Sequence, residues 1–389
     1  MSTITNEPQR PALKPLQPQL LQAQPQQPLQ PIADSVAVAS VVADPAIAHS
    51  GAARSSASTA ADNSQRQWWR GWRRRVVTRA MGVTLIYQMI LIILGNAAVA
   101  FLAFTSSSRD EFFRGQGVAS LAVVLVAIGF LTIVRRRDIL TREFWLGGAH
   151  VDTYGEPNQL GHVSQYGGAR MTPRWALVFL ALVFGVQGVQ MAITWGLSQV
   201  GVDLVSPALE GISEASVTVS MWLYAGLIGP ICEEVLFRGV LMKELKPLGR
   251  NFAIVTSALV FALFHQDLVQ NTYAFVMGLV LGFIAMEYSL IWAIALHVFN
   301  NAVLVGLDTG IAHYFGEAGS TAFMWATIAI GLIGLIIVFA RYGKGLAEYR
   351  RANRSVKGTY SGWASWTFIV FVAITLASAI FSYVSAVMA

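Results

Sequence analysis

Glu233 and Glu234 stand side by side, with Arg238 four residues further on, inside an otherwise apolar stretch of membrane length that reads Cys232-Glu233-Glu234-Val235-Leu236-Phe237-Arg238-Gly239. A charge near the bilayer centre costs roughly 2.5–3.5 kcal/mol on insertion scales, so such residues are kept with partners and for a function. Two later apolar stretches carry one histidine each, in Phe261-Ala262-Leu263-Phe264-His265 and His297-Val298-Phe299-Asn300-Asn301. The remaining histidines, His49, His150, His162 and His313, fall outside the apolar stretches. Ionisable groups confined to three neighbouring spans are the parts of one intramembrane site, and Glu and His at such depth handle protons, for hydrolysis or for transport.

Helical geometry divides the labour among them. Glu234 and Arg238, four apart, share a face and can pair, whereas Glu233 is rotated by about 100° and lacks that partner. This makes Glu234 with Arg238 structural and leaves Glu233 for chemistry. Phe261 shares the face of His265 and would wall the site. His297 and Asn301 face the same way, and Asn300 does not. The single Cys232 excludes an internal disulfide and a Cys-based metal cluster, and a lone thiol in an apolar helix is read as packing.

The elements that must position these groups are membrane helices. Hydrophobic residues make up 55% of the chain and charged residues 12%, about half the charge of a soluble domain. Apolar runs of membrane length lie near 81–104, 116–134, 174–199, 217–241, 251–267, 271–286, 290–308, 321–340 and 363–387. The fold expected is all-α, a polytopic transmembrane bundle of 8–9 spans occupying 67–389, with its core near 217–310. The division between 271–286 and 290–308 is the least defined, because Glu287-Tyr288-Ser289 reads as a turn or a kink. Residues 1–66 are Pro/Gln-rich and then Ala/Ser-rich, too polar to bury a core, and are expected to form a disordered cytoplasmic tail. No cleavable signal peptide is expected, so the first span would serve as the targeting signal.

Charge orients the bundle. With nine spans and the N-terminus inside, twenty-one membrane-proximal Lys and Arg fall on the inner side, against Arg109 and Arg114 outside. The net charge of +6 therefore reads as anchoring to the inner leaflet of the lipid bilayer, not as nucleic-acid binding. Trp68, Trp69 and Trp72 lie within the first basic cluster, at the depth where indoles anchor a span. The outer loops carry Asp203, Glu210, Glu214, Asp308 and Glu317. Arg outnumbers Lys 22 to 5, which favours a bacterial plasma membrane.

The three motifs E-E-x-x-x-R (Glu233, Glu234, Arg238), F-x-x-x-H (Phe261, His265) and H-x-x-x-N (His297, Asn301), in this order, resemble those of the CPBP intramembrane proteases, the CAAX-protease and bacteriocin-processing (Abi) family. The likeness covers about 217–310. It implies an intramembrane endopeptidase acting on a membrane-associated protein or peptide, with Glu233, His265, His297 and Asn301 as catalytic residues. Glu233 would accept a proton from water and return it to the leaving amine, His265 would hold that water, and His297 and Asn301 would donate to the oxyanion. Glu234, Arg238 and Phe261 would support the site. No cofactor is required by this scheme. Zinc is the alternative, since Glu233, His265 and His297 supply one carboxylate and two imidazoles.

Other protease classes lack their motifs here: there is no H-E-x-x-H, G-x-G-D or G-x-S-x-G. An ion-coupled transporter and a non-catalytic immunity or scaffold protein are the competing readings. Against the first, the two halves of the bundle show no internal repeat. The substrate and the oligomeric state are not legible.

Overall fold

Unbroken apolar runs cannot leave backbone N–H and C=O groups to lipid, so each closes its own hydrogen bonds as a helix. The computed structural model describes residues 45–151, 163–202, 206 and 218–388. The chain divides into two units, Met1–Thr59 and Ala60–Ala389. In the first, residues 45–59 are helical, as befits an Ala-rich run, Ala being the best helix former. In the second unit, residues 60–66 are helical as well. Residues 1–44, and with them the Pro/Gln-rich part of the expected tail, lie outside the described residues, as do Asp203, Glu210 and Glu214.

The second unit is an all-α bundle of membrane type. It contains α1 (Pro45–Thr105) from Ala60 onward, α2 (Arg109–Val134), the short α3 (Arg136–Ile139) and α4 (Arg142–Leu146), and α5 (Pro173–Ser198). A helix α6 (219–245) of alternating α and π character follows, then α7 (Arg250–Phe264), α8 (Leu268–Glu287), α9 (290–305), α10 (Gly306–Ala352) and α11 (Trp366–Met388). One two-stranded antiparallel hairpin, Gly148–Val151 with Val163–Tyr166, interrupts the helices, with Gly148 opposite Tyr166.

Among the described residues six helical segments are long and apolar enough to cross a membrane: Asn63–Thr105, Arg109–Val134, Pro173–Ser198, Leu268–Glu287, Leu290–Ala352 and Trp366–Ser385. The 8–9 apolar runs of the sequence map onto these segments and onto shorter helices between them. The stretch near 251–267 is a helix of only 15 residues, about 22 Å long, short of the ~30 Å hydrocarbon core. The stretch near 217–241 carries three charges and lies in one helix, 219–245, whose hydrogen bonding alternates between α and π. The two runs 290–308 and 321–340 share one segment, which leaves helical geometry at Gly316 (φ 62°, ψ −155°), a conformation open to glycine. Between 287 and 290 the chain makes a true break, with Ser289 capping α9.

Contacts sort the connecting segments into two ends. At one end, Gly168 N–H donates to Tyr288 O (2.7 Å), Lys243 Nζ to Phe144 O (2.7 Å) and Asn251 Nδ2 to Arg350 O (2.8 Å). Glu244 pairs with Arg135, and Glu287 accepts from Arg250 and Tyr349. At the other end, Ser206 Oγ donates to Asp267 Oδ2 (2.6 Å) and Trp195 meets Trp325 edge-on. Between the ends α5 and α10 run in close contact: a Cβ on Gly188 would sit 2.8 Å from Thr327 O, the small-residue packing that lets membrane helices approach. The buried core gathers Leu236, Phe237, Phe252, Phe261, Leu281 and Leu290, so it centres on α6 to α9, the helices that carry the motifs.

Candidate active site

The α6 helix changes its hydrogen-bonding pattern on both sides of the acidic pair. It is π-helical over Leu223–Ile228, α-helical over Gly229–Glu234 and π-helical again over Val235–Leu241. A π turn adds one residue to a turn and is frequent at functional sites. The sequence explains one consequence. Gly229 N–H reaches back to Tyr224 O, and Pro230 has no N–H, so Ala225 O is left without a partner within the helix. Asn301 Nδ2 donates to that carbonyl at 3.1 Å. The polar residue of the third motif thus closes a gap that Pro230 opens in the first.

Four ionisable groups form the centre. Arg238 Nη1 donates to Glu234 Oε1 at 2.8 Å, both side chains fully buried, as the four-residue spacing implies. The guanidinium also reaches Gly278 O (3.4 Å) and lies 4.2 Å over the Phe261 ring. A carboxylate only accepts, so His297 Nδ1–H is the donor to the same Glu234 Oε1, at 2.9 Å. The other ring nitrogen, Nε2, lies 3.7 Å from Glu233 Oε2. That separation exceeds a direct hydrogen bond and is one across which a water can touch both groups. Glu233 is the accessible member, its side chain 23% exposed against 5% for His297 and none for Glu234.

His265 joins this centre through Phe261. It caps the end of α7, and its Nδ1–H donates to Phe261 O at 2.8 Å, which leaves Nε2 as the acceptor nitrogen of the neutral ring. The Phe261 ring is edge-on to both imidazoles, with centroids 4.8 Å from His265 and 5.7 Å from His297. Gln266, the next residue, has φ +53°, a left-handed conformation rare outside glycine that costs about 1–2 kcal/mol. Asp267 then caps α8 by accepting from Val269 N–H and Gln270 N–H.

The structure therefore brings Glu233, Glu234, Arg238, His297 and Phe261 into direct contact. Among the described residues no hydrogen bond links His265 or Asn301 to Glu233. Among the described residues no three His, Cys, Asp or Glu side chains are grouped to hold a metal ion, and the Phe261 ring packs against both imidazoles. Asn300, expected to face away, is buried, accepts from Tyr273 OH at 2.7 Å and donates to Asn301 Oδ1 at 2.9 Å. Its helix is π-helical over Phe299–Val305, and the wider turn carries both asparagines inward. Asn300 and Tyr273 went unselected in the sequence. The adjacent asparagines and a lone tyrosine in an apolar span were the available signals.

Residues 215–303 match the family model described as type II CAAX prenyl endopeptidase Rce1-like. No curated protein and no solved structure matches the chain. The matched segment contains all three motifs and the helices that bring them together. Over this segment the chain is similar to the CAAX-type prenyl endopeptidases, and the likeness covers less than a quarter of its length.

Proposed function

We propose that this chain is an endopeptidase that hydrolyses a peptide bond of a membrane-associated protein or peptide, with water activated by Glu233 beside His297. The observation that carries this reading is the run Arg238–Glu234–His297–Glu233, in which a buried ion pair fixes one imidazole nitrogen and turns the other toward the accessible carboxylate. Glu233 takes a proton from water as the oxygen adds to the scissile carbonyl carbon, and the carbonyl electron pair moves onto oxygen. Protonated on both nitrogens, His297 donates Nε2–H to that oxyanion. Asn301 keeps a second amide N–H beyond the one given to Ala225 O. His265 Nε2 accepts from the water. As the oxyanion collapses back to a carbonyl and the C–N bond breaks, Glu233 returns its proton to the nitrogen, leaving a carboxylic acid and an amine. The N-terminus lies on the cytoplasmic side in this reading, and the membrane is a bacterial plasma membrane.

The test is proteome-wide mapping of new peptide ends in host membranes, comparing wild type with Glu233→Gln in water enriched in the heavy oxygen isotope. New C-termini carrying one heavy oxygen, present with wild type and absent with the variant, are expected. An identical set of ends in both would overturn the proposal. Proton or ion flux in proteoliposomes that depends on Glu233 would favour the transporter instead.

A further inference from the structure

Away from the acidic centre, three segments that flank apolar spans converge on a cleft of about 290 Å³. They are the start of the apolar part of α1, the 246–250 turn between α6 and α7, and the chain leaving α10. Its lining includes Trp72, Arg73, Lys246, Arg250, Arg354 and Ser355, and no acidic residue. Glu287 pairs with Arg250 without entering the lining. Among the described residues Arg73 and Arg354 have no ion pair. Ser355 Oγ is buried without a hydrogen-bond partner and lies against the Gly249 turn, where a Cβ on the glycine would come within 3.0 Å of it. Gly249 opens α7 with no side-chain cap, so first-turn amides of that helix add to the same surface. Four cationic side chains, a hydroxyl lacking an acceptor and uncapped amides are the groups that bind a phosphate.

We infer that this cleft binds the phosphate group of an anionic membrane lipid. Trp72 and the ends of three apolar runs set the cleft at headgroup depth, where a phosphodiester meets cations while its acyl chains stay beside the helices. A lipid bound there ties α1 and the α10–α11 connection to the core helices α6 and α7.

Native mass spectrometry of the full chain in detergent, with phosphatidylglycerol or phosphatidylcholine of matched acyl chains, tests this. Wild type should retain one phosphatidylglycerol in preference to phosphatidylcholine. The double variant Arg73→Gln/Arg354→Gln should weaken that retention by about 30-fold, the effect of two cations on an anionic headgroup. Arg136→Gln/Arg137→Gln, exposed cations of the same basic end, should leave it unchanged. If inorganic phosphate alone binds wild type, loses binding in the Arg73/Arg354 variant and shows no lipid counterpart, the phosphate site stands and its source is soluble. Equal retention of the two lipids without phosphate binding, or equal losses in both double variants, would overturn the site. Thermal melting of both variants verifies that they are folded.

Discussion

His297 Nδ1 donates to Glu234 Oε1 at 2.9 Å, the oxygen that also accepts from Arg238 at 2.8 Å. The buried glutamate is therefore more than a counter-ion within its own helix. It fixes the rotation of an imidazole on α9, and so decides which nitrogen faces Glu233. Two adjacent carboxylates on one helix are thereby set apart, one buried against His297 and Arg238 and the other accessible.

Glu233→Gln retains size and hydrogen bonding but cannot take a proton. Peptidase activity should fall by at least about 10²-fold, the lower range for a lost general base, while the melting temperature of the purified protein stays within a few degrees of wild type. Normal cleavage by this variant would refute the role given to Glu233.

Glu234→Gln keeps an oxygen for His297 but leaves Arg238 facing a neutral group in the membrane. Breaking a buried pair from one side costs about 3–5 kcal/mol, so melting temperature and yield should both drop sharply. Glu234→Gln/Arg238→Met, which removes both charges, should recover most of the stability. A stable, inactive single variant would mean that the two carboxylates have exchanged roles.

Asn301→Ala removes the donor to Ala225 O, and an unsatisfied buried carbonyl costs about 1–3 kcal/mol. Adding Pro230→Ala supplies an N–H within the helix and should restore part of the loss in melting temperature. Cleavage per folded molecule should stay low in both variants if Asn301 also serves the oxyanion. Full activity in the restored double variant would confine Asn301 to pinning the helix.

The donor geometry gives an expectation for metal removal. Incubation with a strong chelator should leave cleavage unchanged, whereas His297→Ala should abolish it. Loss on chelation that is reversed by added zinc would require Glu233, His265 and His297 to regroup around a metal.

The charge asymmetry gives opposite sides for reporters fused after residue 66 and after residue 389, the first cytoplasmic. Fusion activity and accessibility labelling measure this directly. The same side for both would place an odd crossing elsewhere, most plainly within 290–352, where Gly316 breaks the helix.

Membrane class, most of the apolar helices and the Glu234–Arg238 pair follow from sequence alone, because each rests on a local rule: hydropathy over a window, or four residues on one helix face. The matching of Phe261 to His265 is local in the same sense. What joins the motifs is not. The His297–Glu234 bond, the Phe261 ring edge-on to two imidazoles and the Asn301–Ala225 bond depend on how three helices are rotated and at what depth they cross. Each π turn adds a residue and turns everything beyond it by about 100°, so the spacing of letters no longer states which faces meet. That is why Asn300, turned outward on an ideal helix, is buried here against Tyr273, and why Glu234 reaches a histidine 63 residues away. Tertiary packing made those choices, by satisfying polar groups that no lipid or water would meet.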